Sequence, residues 1–335
     1  MSFRFDFSLA DLEKETASLN ENAGNNTQTT IPQNSASKII PSGELFITDL
    51  DILPQNLMVE RVNFSIKNVE LYKRHLSDVK FQIAQDDELE ERETDQPSCS
   101  SAKILELAAE NDVVQGVYEG GLKTWECSID LVEYLSTIVK DINLTDKKVL
   151  ELGCGSSLPS IYLLSTEESL HVDFQDYNEQ ILKLVTIPNI LINTILRPQN
   201  VDVFYDDITE LDVSDENKCL DQLKRSRFFK GDWGDLLDVM KYHDNQEKYD
   251  IILSSETIYN ADSIPRLYNV VKNVLKRPNG VAYIAAKNIY FGVGGGVLPF
   301  RHIVERDNLF KISVVYTASA HVKREILKLT FLDSL

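Results

Sequence analysis

The sequence predicts an α/β protein with a mostly parallel sheet, an antiparallel C-terminal hairpin and an N-terminal extension. Three observations predict it. From about residue 102, short apolar runs alternate with segments of helical periodicity, the pattern of parallel strands joined by crossover helices. The last two apolar runs, "FKISVVYT" and "REILKLTFL", have no helical segment between them and read as a hairpin. The glycine pair in "VLELGCGSSLPS" falls where the first strand hands over to a helix, and open parallel sheets bind ligands beyond the carboxyl ends of their strands.

The elements follow in order. "SIDLVEYLSTIVKDI" spaces Ile129, Leu131, Val132, Leu135, Ile138 and Val139 as one face of a helix. "KKVLELGC" is a strand, "SLPSIYLLST" a helix, "LHVDFQDYN" a strand and "EQILKLVTIPNILINTI" a helix. Both "VDVFYDD" (201–207) and "SRFFKGDW" (226–233) qualify as the third strand. The second is preferred, because a turn with a candidate ligand group follows it. "KYDIILSS" is the next strand, "SIPRLYNVVKNVLK" a helix, and "GVAYIAAKNI" the strand before the hairpin.

Three regions are expected. Residues 1–43 form a flexible tail, because 20–43 hold almost no large apolar groups to offset the entropy of ordering. Residues 44–101 form an extension with strand-like stretches "ELFITDLDIL" and "MVERVNFSI", closed by the acidic linker "DDELEERETDQPSCSS" (86–101). Residues 102–335 form the main domain.

Composition narrows the function. The 335 residues are 43% apolar and 26% charged, ordinary for a soluble globular protein. No apolar run approaches the length of a membrane span, and acids stand where a signal peptide needs an apolar core. A net charge of −19 argues against direct contact with nucleic acid and favours a basic protein partner. Cys99, Cys127, Cys154 and Cys219 show no C-x-x-C spacing, so a reducing compartment and no metal site are expected. The cytoplasm is the expected location. "LKRSRFFK" is too weak a basic cluster to decide on entry to the nucleus. Nothing points to an obligate oligomer, and a monomer is expected.

The candidate site starts at Gly153 and Gly155, which let the backbone turn tightly and approach a ligand. A dinucleotide site wants a third glycine where Leu158 stands, and no Walker-type phosphate motif occurs. Glu151 would repel pyrophosphate, yet it can hold the ammonium of a zwitterion. Asp176 ends the next strand, where a carboxylate commonly accepts hydrogen bonds from both ribose hydroxyls. An ammonium and a ribose without phosphate describe S-adenosyl-L-methionine.

"VLELGCGSSLPS", "FQDYN", "GDW" and "SSETIYN", in that order, resemble the class I S-adenosylmethionine-dependent methyltransferases. These have a Rossmann-like, mostly parallel seven-stranded sheet. "GVYEGGLKTWECSIDL" (116–131) and "KNIYFGVGGGVLPF" (287–300) bring the likeness closer to the eukaryotic protein-histidine N-methyltransferases that modify a large-subunit ribosomal protein. The resemblance covers about residues 113–332. Ser157 departs from it, standing where many members have a third alternate glycine.

The resemblance implies S-adenosyl-L-methionine as cofactor, S-adenosyl-L-homocysteine as product and a basic large-subunit ribosomal protein as substrate. It implies Trp125 as a wall of the cofactor site, with Glu126 and Cys127 adding backbone contacts; a core tryptophan is the alternative. Gln175 and Tyr177 flank the ribose acid. In "GDW", after Gly231, Asp232 can take the adenine amino group while Trp233 covers the ring. Ser254 and Ser255 lie where the methionine part should pass. The resemblance also places the glycine-rich loop "FGVGGGV" (291–297) near the substrate, against a simple surface loop.

Histidine suits such a site. Its unperturbed pKa of about 6.5 leaves it mostly neutral at pH 7, whereas neutralising a lysine costs about 4.6 kcal/mol. The imidazole needs only the right tautomer. Glu256 or Asn260 can accept its N–H, and Tyr259 can bound the pocket; alternatively Glu256 merely caps the following turn. Lysine methylation on the same scaffold, or a non-catalytic ribosomal-protein binder, stay open on sequence alone.

Overall fold

The structure, a computed structural model, describes residues 2–3, 39–90, 112–198, 208–213, 215–240, 248–319 and 322–332. Most of the expected tail, residues 91–101 of the acidic linker, and "VDVFYDD" lie outside the described residues.

One large sheet organises the chain. Its strands are β1 (Gly43–Leu45), β2 (Lys148–Leu152), β3 (His171–Asp176), β4 (Phe228–Lys230), β5 (Ile251–Ser255), β6 (Val281–Lys287), β7 (Phe310–Ala318) and β8 (Arg324–Phe331). They lie side by side in the order β7-β8-β6-β5-β2-β3-β4-β1. From β4 through β6 every neighbour is parallel. β8 inserts antiparallel between β6 and β7, which makes the expected hairpin. The preferred third strand is confirmed as β4. The extension adds an eighth strand, β1, antiparallel on the edge beyond β4.

The central strands are buried on both faces, so they read as apolar runs rather than as alternation. Side chains still point to opposite sides. Val149, Ile251 and Leu253 enter one core with Leu131, Phe174 and Leu191. Leu150, Leu152 and Ile252 enter the other with Leu267, Val271 and Phe300. The covering helices include α1 (Glu126–Ile138), α2 (Leu158–Thr166), α3 (Ile187–Thr194), α4 (Ile264–Val274) and α5 (Val297–Asp307). A π-turn, Leu182–Thr186, leads into α3. Pro188 follows it and has no N–H for a regular ladder.

The extension is more structured than expected. Asn56–Arg61 pairs with Tyr72–Arg74 and with Ile208–Asp212 in a small antiparallel sheet. Leu76–Glu90 is a helix, so its last residues, 86–90, take in the head of the expected acidic linker. Its Val79 and Ile83 pack against Tyr118, Leu122 and Ile181, and so buttress the loop before α1. Residues 39–43, read as the end of the tail, are held instead at the end of β4: Gly43 pairs with Lys230, and Ile40 O accepts from Asp232 N just beyond it. Among the described residues no helix is long and apolar enough to cross a membrane.

Candidate cofactor and substrate site

Strand order reverses between β2 and β5: β3 and β4 lie on one side and β6 on the other. A cleft opens there, at the carboxyl ends of the strands. "GCGSS" leaves β2 and "SETIYN" leaves β5, so two segments a hundred residues apart face each other.

Crowding requires the first of these glycines. Gly153 has φ +62°, and a Cβ there would stand 2.4 Å from Thr257 Cγ2. Glu151 lies behind this turn. Its Oε2 accepts from Ser157 Oγ at 2.6 Å and Ser160 N at 3.2 Å, at the start of α2. Its Oε1 has no hydrogen-bond partner among the described residues. Burial pushes the Glu151 carboxyl up to about 7, against those bonds.

Asp176 lines the cleft, accepting from Gly155 N at 2.9 Å and Asn178 N at 3.2 Å. Burial raises it to about 6. Beside it, Tyr177 donates its hydroxyl to Gly116 O at 3.2 Å. Gly231 N donates to Asp176 O and Tyr177 O at 3.0 and 3.1 Å, which draws the β4 turn against the β3 end. Asp232 accepts from Gly234 N at 2.8 Å and lies 3.3 Å from Arg266 Nε. Gln175 sits beneath all of this. Its Oε1 accepts from Gly153 N at 3.2 Å and Trp233 Nε1 at 2.7 Å, and its Nε2 donates to Gly231 O at 2.8 Å. It acts on the cleft through those three groups.

Glu256 has φ +56°, a left-handed conformation uncommon outside glycine. Its carboxylate turns inward: Tyr290 OH donates to Oε2, Cys127 N lies 3.4 Å from Oε1, and Lys287 Nζ lies 3.9 Å from Oε1. Lys287 also reaches Glu126 at 3.4 Å, and Arg324 joins Glu126 and Asp130. That network pins the start of α1 to β6 and β8.

Tyr259 is oriented from the other side. Its hydroxyl donates to Glu119 Oε2, while Glu119 Oε1 accepts from Gly116 N at 2.6 Å. Asn178 Oδ1 accepts from Glu119 N at 3.2 Å. Burial, reinforced by the charge of Asp232, pushes the Glu119 carboxyl up to about 7. The glycine loop closes over the same strand end. Gly295 N donates to Tyr259 O at 3.0 Å and Gly296 N to Ile258 O at 2.7 Å. A Cβ on Gly295 would stand 2.2 Å from the Tyr259 carbonyl.

Of the residues expected from sequence, Trp125, Gly153, Gly155, Asp176, Tyr177, Gly231, Asp232, Trp233, Ser255, Glu256, Tyr259 and Asn260 line one cleft. Glu151, Gln175, Cys127 and Ser254 lie behind its wall, and Glu126 faces the Lys287–Arg324 network. Ser254 Oγ is spent on Leu152 O at 2.9 Å and Thr257 Oγ1 at 2.6 Å. Sequence reasoning passed over Glu119. The signal was present, an acid inside the quoted "GVYEGG", but its partners come from remote segments.

The strand order and the cleft at the switch point define a class I methyltransferase fold, Rossmann-like with an antiparallel end. No family model matches the chain. It is 35% identical over 296 residues to Histidine protein methyltransferase 1 of Schizosaccharomyces pombe, covering 83% of this chain and 81% of that protein. To the Saccharomyces cerevisiae protein of the same name it is 31% identical over 289 residues, covering 76% and 75%. The chain therefore belongs to the histidine protein methyltransferase family. Against the Dictyostelium discoideum homolog it is 38% identical over 226 residues, spanning 67% of this chain and 62% of that one. It spans 59% of the Bos taurus homolog. Among solved structures, the METTL16 methyltransferase domain overlays with a TM-score of 0.43 at 11% identity, over 63% of this chain and 70% of that one, too loosely to add weight.

Proposed function

We propose that the protein transfers a methyl group from S-adenosyl-L-methionine to a histidine of a basic large-subunit ribosomal protein. The observation that carries the reading is one cleft holding both the strand-end acid Asp176 and the Tyr259–Glu119 pair. The fungal relatives' name supplies the reaction class.

The residues fit the cofactor. Gly153 and Gly155 make a cradle that side chains would fill, and buried Glu151 keeps one carboxylate oxygen without a donor. Asp176 suits ribose hydroxyls, and Asp232 with Trp233 suits adenine. The cleft wall carries Glu119, Asp176, Asp232, Glu256 and Asp262 against Lys123 and Arg266. That excess of acid favours a cationic ligand and a basic substrate. When bound, the cofactor supplies an activated methyl group.

The protein's work is then to align one imidazole nitrogen and receive the proton of the other. Glu256, held inward by Tyr290, serves the architecture of the turn. Because the Tyr259 hydroxyl donates its hydrogen bond to Glu119, the phenol oxygen can accept from the imidazole N–H. Glu119, raised to about 7, is matched to a histidine proton and can take it through Tyr259 once the ring becomes cationic. Asn260 Oδ1 already accepts from Asp262 N at 2.9 Å and stands at the rim as a second acceptor.

Mass spectrometry of ribosomal proteins from cells with and without this protein tests the reading. One histidine should lose its methyl mass in the deleted cells. A methyl lost from a lysine instead would move the function to lysine methylation.

A further inference from the structure

Residues 39–45 precede the methyltransferase domain in the chain, yet they meet the groups expected to hold the adenosine. Ile39 lines the cleft. Ile40 N donates to Tyr177 OH at 3.2 Å, and Ile40 O accepts from Asp232 N at 3.0 Å. Ser42 Oγ donates to Asp232 O, and Ser42 N lies 3.2 Å from both Asp235 carboxylate oxygens. Beyond them β1 pairs with β4, and Glu44 accepts two hydrogen bonds from Arg227 at 2.8 and 3.0 Å.

The fit is close at Gly231. With φ +94°, it brings its Cα so near the strap that a Cβ would stand 2.3 Å from Pro41 O. Gly231 is therefore glycine for two reasons, its own backbone conformation and the strap lying on it.

We propose that this segment is a working wall of the adenosine subsite. It fixes Tyr177, Gly231 and Asp232 from outside, presents Ile39 to the ligand, and is itself held down when the ligand binds. The chemistry follows from the bonds. Tyr177 and Asp232 belong to loops leaving two different strands, and the strap ties both by main-chain groups. Loosening it frees both loops at once. The proposal rests on the reading of the cleft as a site for S-adenosyl-L-methionine.

The experiment uses the full chain and S-adenosyl-L-homocysteine. Titration calorimetry compares wild type with the double variant Ile39→Ser, Ser42→Ala, and hydrogen exchange of residues 39–45 is followed in wild type with and without the nucleoside. The proposal expects at least tenfold weaker binding in the variant, an unliganded melting temperature within a few degrees of wild type, and slower exchange at Ile40 and Ser42 on binding. Binding within twofold of wild type, or exchange indifferent to ligand, overturns the strap while leaving the cofactor reading intact. Failure of wild type to bind removes the cofactor reading and the strap with it.

Discussion

Tyr259 donates its hydroxyl to the carboxylate of Glu119, a residue 140 positions earlier in the chain. Neither belongs to a strand. One follows β5 and the other lies in the loop before α1, and the fold brings them together on the cleft wall. Tyr259→Phe keeps the ring and its edge-on contact with Tyr290, at 6.2 Å between centroids, and removes the acceptor. Its kcat should fall about 100-fold, the lower end for loss of acid–base assistance, with affinity for S-adenosyl-L-homocysteine within twofold. Steady-state kinetics and calorimetry separate the two. Weaker binding with unchanged kcat would make Tyr259 a cofactor residue.

Asp176→Ala removes a carboxylate aimed at the cleft. Losing charge-assisted hydrogen bonds to two ribose hydroxyls should weaken cofactor binding by about 10- to 100-fold. Asp176→Asn keeps an acceptor for Gly155 N and should lose less.

The pH dependence follows from three buried acids. Asp176 is raised to about 6, Glu119 and Glu151 to about 7, chiefly by burial. In the unfolded chain such groups titrate at about 4. Between those values the folded protein binds more protons, so stability without ligand is greatest below about pH 4 for these groups and falls as pH rises to about 7. Ligand charge acts the other way. Affinity for S-adenosyl-L-methionine, a sulfonium, should rise from pH 6 to 7.5, and more steeply than that for neutral-sulfur S-adenosyl-L-homocysteine. Parallel slopes would place these acids away from the sulfur.

Gly295→Ala forces a methyl against the Tyr259 carbonyl. Overpacking of this kind costs about 1–3 kcal/mol, and the displaced loop carries Tyr259 with it. A lower melting temperature and a lower kcat should appear together. Full activity would show that the glycine loop and the tyrosine move independently.

The sheet from β2 to β8 was legible because each strand is a buried apolar run bounded by turn residues. The placement of the glycine turn and Asp176 at the cleft was legible because clefts in such sheets lie beyond the carboxyl ends of the strands. β1 was not. A three-residue strand carries no period, and its existence depends on an edge supplied by β4 far along the chain. The helix Leu76–Glu90 was hidden for a similar reason, since among its described side chains Val79 and Ile83, with Leu76 beside them, mark the buried face. Gln175 and Ser254, expected at the cofactor, lie behind the cleft wall, where their side chains bond Gly153, Trp233 and Leu152. The environment of Glu119 is assembled by Gly116, Asn178 and Tyr259, which no local pattern connects.

Transfer of labelled methyl tests the proposed reaction most directly. Purified full-length protein and methyl-labelled S-adenosyl-L-methionine are incubated with large-subunit ribosomal proteins from cells lacking it, and the product is hydrolysed to amino acids. Labelled methylhistidine in one basic protein, abolished by Asp176→Ala and strongly reduced by Tyr259→Phe, is the expected result. Label recovered as methyllysine, or equal transfer by the Asp176→Ala protein, would contradict it.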